Sequence, residues 1–235
     1  MIGGWRSIAP PDSLFIAHGG TAEDFAGIAH EHKSYIDSAR LRTRDHQREK
    51  QSYMPVFRAA SDWLQKRNFS FVHFAEQDHL PLVADLNDRQ TQFLRRTNAD
   101  VLGFRARRVD HTHYPNYLYH ASDPRFLPYW KTISKRHNGG VVLRMTGTGS
   151  FWTRKAFEAV ASCSEPFPIY MELHLPTLAY HLGFTVCDWG AQNQFVHHLG
   201  DRSHEVESAR QKGGWTLHPA KHFWSAPRLC SQLFS

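Results

Sequence analysis

Cysteine is scarce in this chain: Cys163, Cys187 and Cys230 are its three, and no two of them stand in a CxxC spacing. That excludes a disulfide framework or a cysteine zinc site as the organising device, and points to a reducing compartment, the cytoplasm. Long apolar runs are missing too: nothing approaches the roughly 18 residues that a membrane-crossing helix needs. The start, Met1 to Arg6, has no apolar stretch of signal-peptide length. Basic residues are never gathered into one long run, which argues against a nucleic-acid-binding tail, and no nucleic acid is expected as partner. No repeat, low-complexity segment or linker splits the 235 residues. One domain over 1–235 follows, large enough to bury a substantial core.

What the chain does have is positive charge, +6 net before its 17 histidines are counted. A basic balance favours anionic partners: nucleotides, nucleic acid or the anionic face of a membrane. Most of the histidines are expected at the surface or the edge of the core.

The most informative stretch runs from Phe69 to Leu82. Phe69, Phe71, Val72 and Phe74 suit a buried strand, and Pro81 should end its pairing. Between them stand Glu76 and Asp78, two residues apart, so on extended backbone both side chains leave one face. Two acids on one face repel unless a cation or a shared proton relieves them. A hard divalent ion such as Mg²⁺ or Mn²⁺, held together with substrate phosphates, would do so. A solvated acidic turn after a strand is the simpler alternative.

Upstream, Leu14–His18 reads as a strand closed by the tight turn Gly19-Gly20. Thr21 is placed to cap a helix carrying Phe25, Ile28 and Ala29, with Asp24 in its first turn. Ser34–Asp37 reads as a second strand, and a charged run, 40–51, leads into a helix through Val56, Ala59, Ala60, Trp63 and Leu64. Strand, helix, strand, helix, strand is the pattern of an α/β fold with a mainly parallel central sheet flanked by helices. Such sheets bind ligands beyond the carboxyl ends of their strands, where His18, Gly19, Asp37 and Glu76-Gln77-Asp78 all fall.

Further on, Asp85–Arg96 reads as a helix and Asp100–Arg105 as a strand. Residues 109–129, rich in His, Tyr, Pro and Asn, read as a long ordered loop. His111-Thr112-His113 within it is a weak metal signal. Gly140–Met145 reads as a strand running into the glycine turn Thr146-Gly147-Thr148-Gly149, where backbone can approach a ligand. A helix starts near Thr153 with Ala156, Phe157 and Val160. Another runs from Leu173 to Leu182 and closes at Gly183. Pro176 is tolerable there only in the first turn, which puts Glu172 at the helix start. A carboxylate so placed stays ionised, as a general base must, or merely complements the helix end. Phe184–Cys187 continues as a strand, and the chain closes with Trp215–Lys221 and the aromatic pair Phe223-Trp224.

Four segments in this order resemble the GT-A class of nucleotide-sugar-dependent glycosyltransferases, over nearly the whole chain. Glu76-Gln77-Asp78 is similar to the Asp-x-Asp metal motif, with Glu in the first place. Thr146–Phe157 resembles the glycine-rich segment that precedes an Arg-x-Ala-Phe helix. Met171–Phe184 is similar to the acidic helix of inverting members, with Glu172 in the place of the catalytic base and Met171 where an acid is common. His218, in Leu217–Lys221, resembles the late histidine that completes the metal site.

The resemblance implies a single GT-A domain, with a nucleotide-binding half at about 14–105 and an acceptor and catalytic half at about 106–235. It implies Mn²⁺ or Mg²⁺ on Glu76, Asp78 and His218, clamping the diphosphate of a donor such as a UDP-sugar, and Glu172 as base for an acceptor hydroxyl with inversion. His18, Gly19, Asp37, Arg44, Asp45, Arg48, Gln51, Gln77, Gly147, Gly149 and Lys221 are the candidate nucleotide or donor contacts. The acceptor would be a glycan, polysaccharide or lipid-linked sugar, and the basic charge would suit peripheral association with the inner membrane face. Two other readings stay open: a metal-dependent phosphoesterase or nuclease on the same acids, and a nucleotide-binding module without catalysis.

Overall fold

A computed structural model describes residues 3–51, 53–197 and 200–222. Phe223-Trp224 lies outside the described residues. The elements, in chain order, are α1 (Gly3–Ile8), β1 (Ile16–His18), α2 (Ala22–Ala26), β2 (Lys33–Tyr35), α3 (His46–Lys50), α4 (Met54–Leu64), β3 (Phe71–Ala75), β4 (Leu80–Pro81) and α5 (Leu86–Thr97). They continue with β5 (Val101–Arg108), α6 (Pro115–Ala121), α7 (Phe126–Ile133), β6 (Leu143–Thr153), α8 (Arg154–Ala161), α9 (Met171–His181), β7 (Val186–Asp188), α10 (Val206–Gln211) and β8 (Thr216–Leu217). The fold is mixed α/β. No helix among the described residues is long and apolar enough to cross a membrane.

Local chemistry sets the helix ends. The Thr21 hydroxyl accepts from the Asp24 amide at 3.1 Å, starting α2, which ends at Ala26, short of Ile28 and Ala29. Asp45 caps α3 by accepting from the Gln47 and Arg48 amides. Thr153 caps α8 through the Ala156 amide. α5 stops at Asn98, whose φ of 48° is the left-handed conformation asparagine tolerates at a helix end. α4 buries Met54, Phe57, Ser61 and Leu64, one stripe at helical spacing.

The central sheet has the order β3-β6-β5-β7. The expected mainly parallel sheet is corrected here: β6 runs antiparallel to both β3 and β5, and only β5 with β7 is parallel. β1 and β2 form a separate parallel pair, and β4 pairs with β8 antiparallel despite Pro81. The reason lies in residues 109–142. They leave the end of β5 and return to the same end, Arg108 pairing opposite Leu143, so no crossover occurs. That stretch is not the long loop the composition predicts, because α6 and α7 fold within it. Tyr117, His120, Phe126 and Trp130 are their buried face. Nor does a glycine turn follow Met145: β6 continues through Thr146–Ser150 to Thr153, and it interleaves the two halves of the chain.

The main core lies where α4, α8 and α9 pack with β3 and β6. Phe57 is fully buried, stacked on Phe157 at 4.6 Å between ring centroids and edge-on to Trp152 at 5.6 Å. Phe57→Ala should lower unfolding free energy by about 3–5 kcal/mol in urea titration; a loss under about 1 kcal/mol would show the site collapsing freely. α9 is buried nearly all round, which lets packing hold Pro176 as its sixth residue, well past the first turn expected for it. Gly183, just beyond α9, has φ of 100°, a conformation that suits glycine alone.

Candidate metal and transfer site

Glu76 and Asp78 do not sit on extended strand. They lie in a turn closed by the His79 amide donating to the Glu76 carbonyl at 3.1 Å. The turn is fixed on two sides. The Glu76 amide donates to the Thr148 carbonyl of β6, and the Ala220 amide donates to the Asp78 carbonyl, both at 2.9 Å. The second bond carries the C-terminal segment after β8 onto the acids. His218 arrives with it, its Nε2 3.2 Å from Asp78 Oδ1 and 3.9 Å from Glu76 Oε2. One ligand atom from each of the three lies within 4.8 Å of the others. This is a turn, as the simpler alternative predicts, but not a solvated one: each acid side chain is 18% exposed and His218 is 7% exposed.

The other ring nitrogen decides what this group can hold. His218 Nδ1 lies 3.1 Å from the His197 carbonyl, which can only accept, so Nδ1 carries hydrogen. Nε2 is then the nitrogen that faces the two carboxylates. Three electron-rich groups converge, and a cation or an extra proton is what reconciles them. Two carboxylates and an imidazole fixed by a backbone carbonyl suit Mn²⁺ or Mg²⁺. Burial opposes the Asp78 charge, yet the His218 ring, the backbone and Lys221 together hold its carboxyl below the usual range.

Two neighbours escape a reading of the sequence. Lys50, the last residue of α3, is buried and its ammonium contacts Glu76 Oε1. The Tyr53 hydroxyl donates to the same oxygen at 3.2 Å, and Lys50 Nζ donates to Tyr53 at 3.1 Å. Burial alone would favour neutral lysine, but Glu76 and then Tyr53 reverse this and keep Lys50 charged. His79 lies under the turn with no exposure, its ring 6.0 Å from that of His218. Burial, reinforced by the neighbouring His218 and His73, keeps it neutral far below its ordinary pKa.

Glu172 sits at the start of α9, as expected, and is 8% exposed. Its Oε1 accepts from the Gly147 amide at 3.0 Å and its Oε2 from the Tyr114 hydroxyl at 3.1 Å. Tyr114 is in turn held by Asn116, which Gln47 of α3 bonds at 2.9 Å. Burial and the Glu172 charge push the Tyr114 hydroxyl up to about 12, so it remains a donor. His46 of α3 bonds the Tyr170 hydroxyl at 3.0 Å. α3 thus reaches Glu76 with its last residue and the surroundings of Glu172 with its first two.

The predicted donor contacts divide. Gly147 and Gly149 are buried in a strand, not in a ligand-facing turn. A Cβ on Gly149 would lie 2.8 Å from His79, and one on Gly147 would lie 2.9 Å from Met171. Their role is close packing under Glu172 and the Glu76–Asp78–His218 group. Asp45 is spent on its cap, and α3 presents Lys50 where Arg44, Asp45, Arg48 and Gln51 were expected. Asp37 lies just beyond β2, paired with Arg42 at 2.9 Å. The His18 ring packs over Gly20 and Phe25, and the space above Gly19 is taken by Leu41. Gln77 and Lys221 are exposed beside the acids. His111 and His113 are exposed and outside the grouped ligands. Between β1 and β3 lies a cavity of about 470 Å³, lined largely by apolar side chains such as Phe15, Trp63 and Phe71 and reaching Glu76 and Gln77.

No family model matches the chain, and no curated protein matches it.

Proposed function

We propose that the chain is a metal-dependent glycosyltransferase of the GT-A class, moving a sugar from a nucleoside-diphosphate donor to an acceptor hydroxyl with inversion. The observation that carries this reading is the pairing of two separate acid stations. One is the Glu76–Asp78–His218 group, in which His218 Nε2 faces both acids. The other is Glu172, a lone carboxylate with both oxygens anchored by neutral donors. A divalent ion at the first would neutralise charge on a departing diphosphate. Glu172 takes the proton of the attacking hydroxyl. Gly147 and Tyr114 hold its carboxylate in one orientation, and burial limits competing water. Of the expected donor contacts this reading keeps Asp37, near the end of β2 and paired with Arg42, and Gln77 and Lys221, exposed beside the acids.

A phosphoesterase would need further acids beside the pair. Asp85 instead bonds Arg89 at 2.7 Å at the surface, and Asp88 is exposed. The acceptor in this reading is a glycan, polysaccharide or lipid-linked sugar.

A thermal-shift panel of nucleoside diphosphates and nucleotide sugars, with Mn²⁺ and with chelator, tests this directly. Binding at about 100 times Kd should add roughly 2.7 kcal/mol of stability, visible as a rise in Tm of several degrees with Mn²⁺ only. The reading fails if no nucleoside diphosphate shifts Tm with either Mn²⁺ or Mg²⁺.

A further inference from the structure

We infer that Lys50 is a second, resident cation of this site, which shares Glu76 with the divalent ion and binds the phosphate end of the donor; this rests on the function proposed above. The Glu76 carboxylate is divided. Oε1 faces Lys50 and Tyr53, while Oε2 faces His218 at 3.9 Å. The extra methylene of glutamate over aspartate lets one side chain serve both, which explains a Glu where Asp-x-Asp has its first acid.

Stability alone gives no reason for this lysine. A buried ammonium-carboxylate pair is often no better than two apolar side chains of similar volume. The geometry gives a reason in binding. A divalent ion drawn to Glu76 repels the ammonium beside it and competes for the same carboxylate. Lys50 then turns to the nearest new anion, a phosphate oxygen entering with the donor. Its helix is also tied to the Glu172 side through His46 and Gln47, so Lys50 is set from both stations at once. Metal and phosphate therefore bind with positive coupling through Lys50.

The test uses the full chain, with Mn²⁺ alone and inorganic pyrophosphate alone as probes, by calorimetry and by the electron paramagnetic signal of free Mn²⁺. K50M removes the charge and keeps the stem. It should bind Mn²⁺ about 5- to 10-fold more tightly and pyrophosphate about 10-fold more weakly, while K50R keeps near-normal pyrophosphate affinity. Unchanged affinities for both probes in K50M, with wild type binding Mn²⁺, would make Lys50 a structural ion pair and leave the metal site standing. A wild-type chain that binds pyrophosphate through Lys50 but never Mn²⁺ would have the opposite consequence: the metal reading falls, and with it the shared-carboxylate mechanism. Should K50M not fold, amine acylation of wild type followed by mass spectrometry asks the same question. Mn²⁺ should raise labelling of Lys50 and pyrophosphate lower it, and equal labelling throughout overturns the inference.

Discussion

Asp78→Asn should cost roughly 100-fold or more in Mn²⁺ affinity and abolish metal-dependent nucleotide binding. Asparagine preserves the shape of the side chain, and the bond from the Ala220 amide goes to the main chain, so the turn should survive. What disappears is the charge. The carboxylate lies 3.2 Å from His218 Nε2 and is the less neutralised of the two acids, since Lys50 pairs with Glu76. An amide oxygen is a weaker ligand for a hard divalent ion. Calorimetry with Mn²⁺ at constant pH reads the loss. An affinity within about threefold of wild type would remove Asp78 from the ligands, and with it the account of the three converging groups.

Glu172→Gln should separate binding from turnover. The Gln Oε1 can still accept from Gly147, and its amide group can still bond the Tyr114 oxygen, so the start of α9 keeps its anchors. Gln cannot accept a proton. General-base catalysis is worth about 10²–10⁴ in rate, so kcat should fall within that range while the Mn²⁺-dependent Tm rise with donor stays that of wild type. Turnover within about tenfold of wild type would place the base elsewhere. A parallel loss of donor binding would instead make Glu172 a donor contact. Tyr114→Phe is the natural companion, because it removes one anchor and spares the charge.

The proposed metal ligands and base are legible in sequence because each carries its own local signal. Glu76 and Asp78 follow an apolar strand, Glu172 stands in the first turn of a helix closed by Gly183, and His218 lies in the short late motif that carries part of the resemblance. The geometry that unites them is not legible there. It depends on β6 entering antiparallel between β3 and β5, and the direction of a strand is not written in its residues. The helices α6 and α7 are hidden by the His, Tyr and Pro content of 109–129, since aromatic burial rather than apolar period folds them. Lys50 is hidden in a solvated-looking charged run, where a single buried lysine has no mark. Asp45, in the same run, stands out in sequence but is occupied with capping its own helix. Cβ collisions explain Gly147 and Gly149, so their glycine signal is real while its cause is neighbouring side chains.

Three consecutive residues of β6 hold both stations: Gly147 donates to Glu172, Thr148 accepts from Glu76, and Gly149 makes room for His79. Along a strand three residues span only about 7 Å. What covalent spacing sets is the distance between the two anchoring points on β6, one bonded to the Glu172 side chain of α9 and the other to the main chain of the Glu76 turn. α3 and the 114–116 segment hydrogen-bond one another and reach both stations, so in the proposed function a change in either would be felt at the metal group and at Glu172 together.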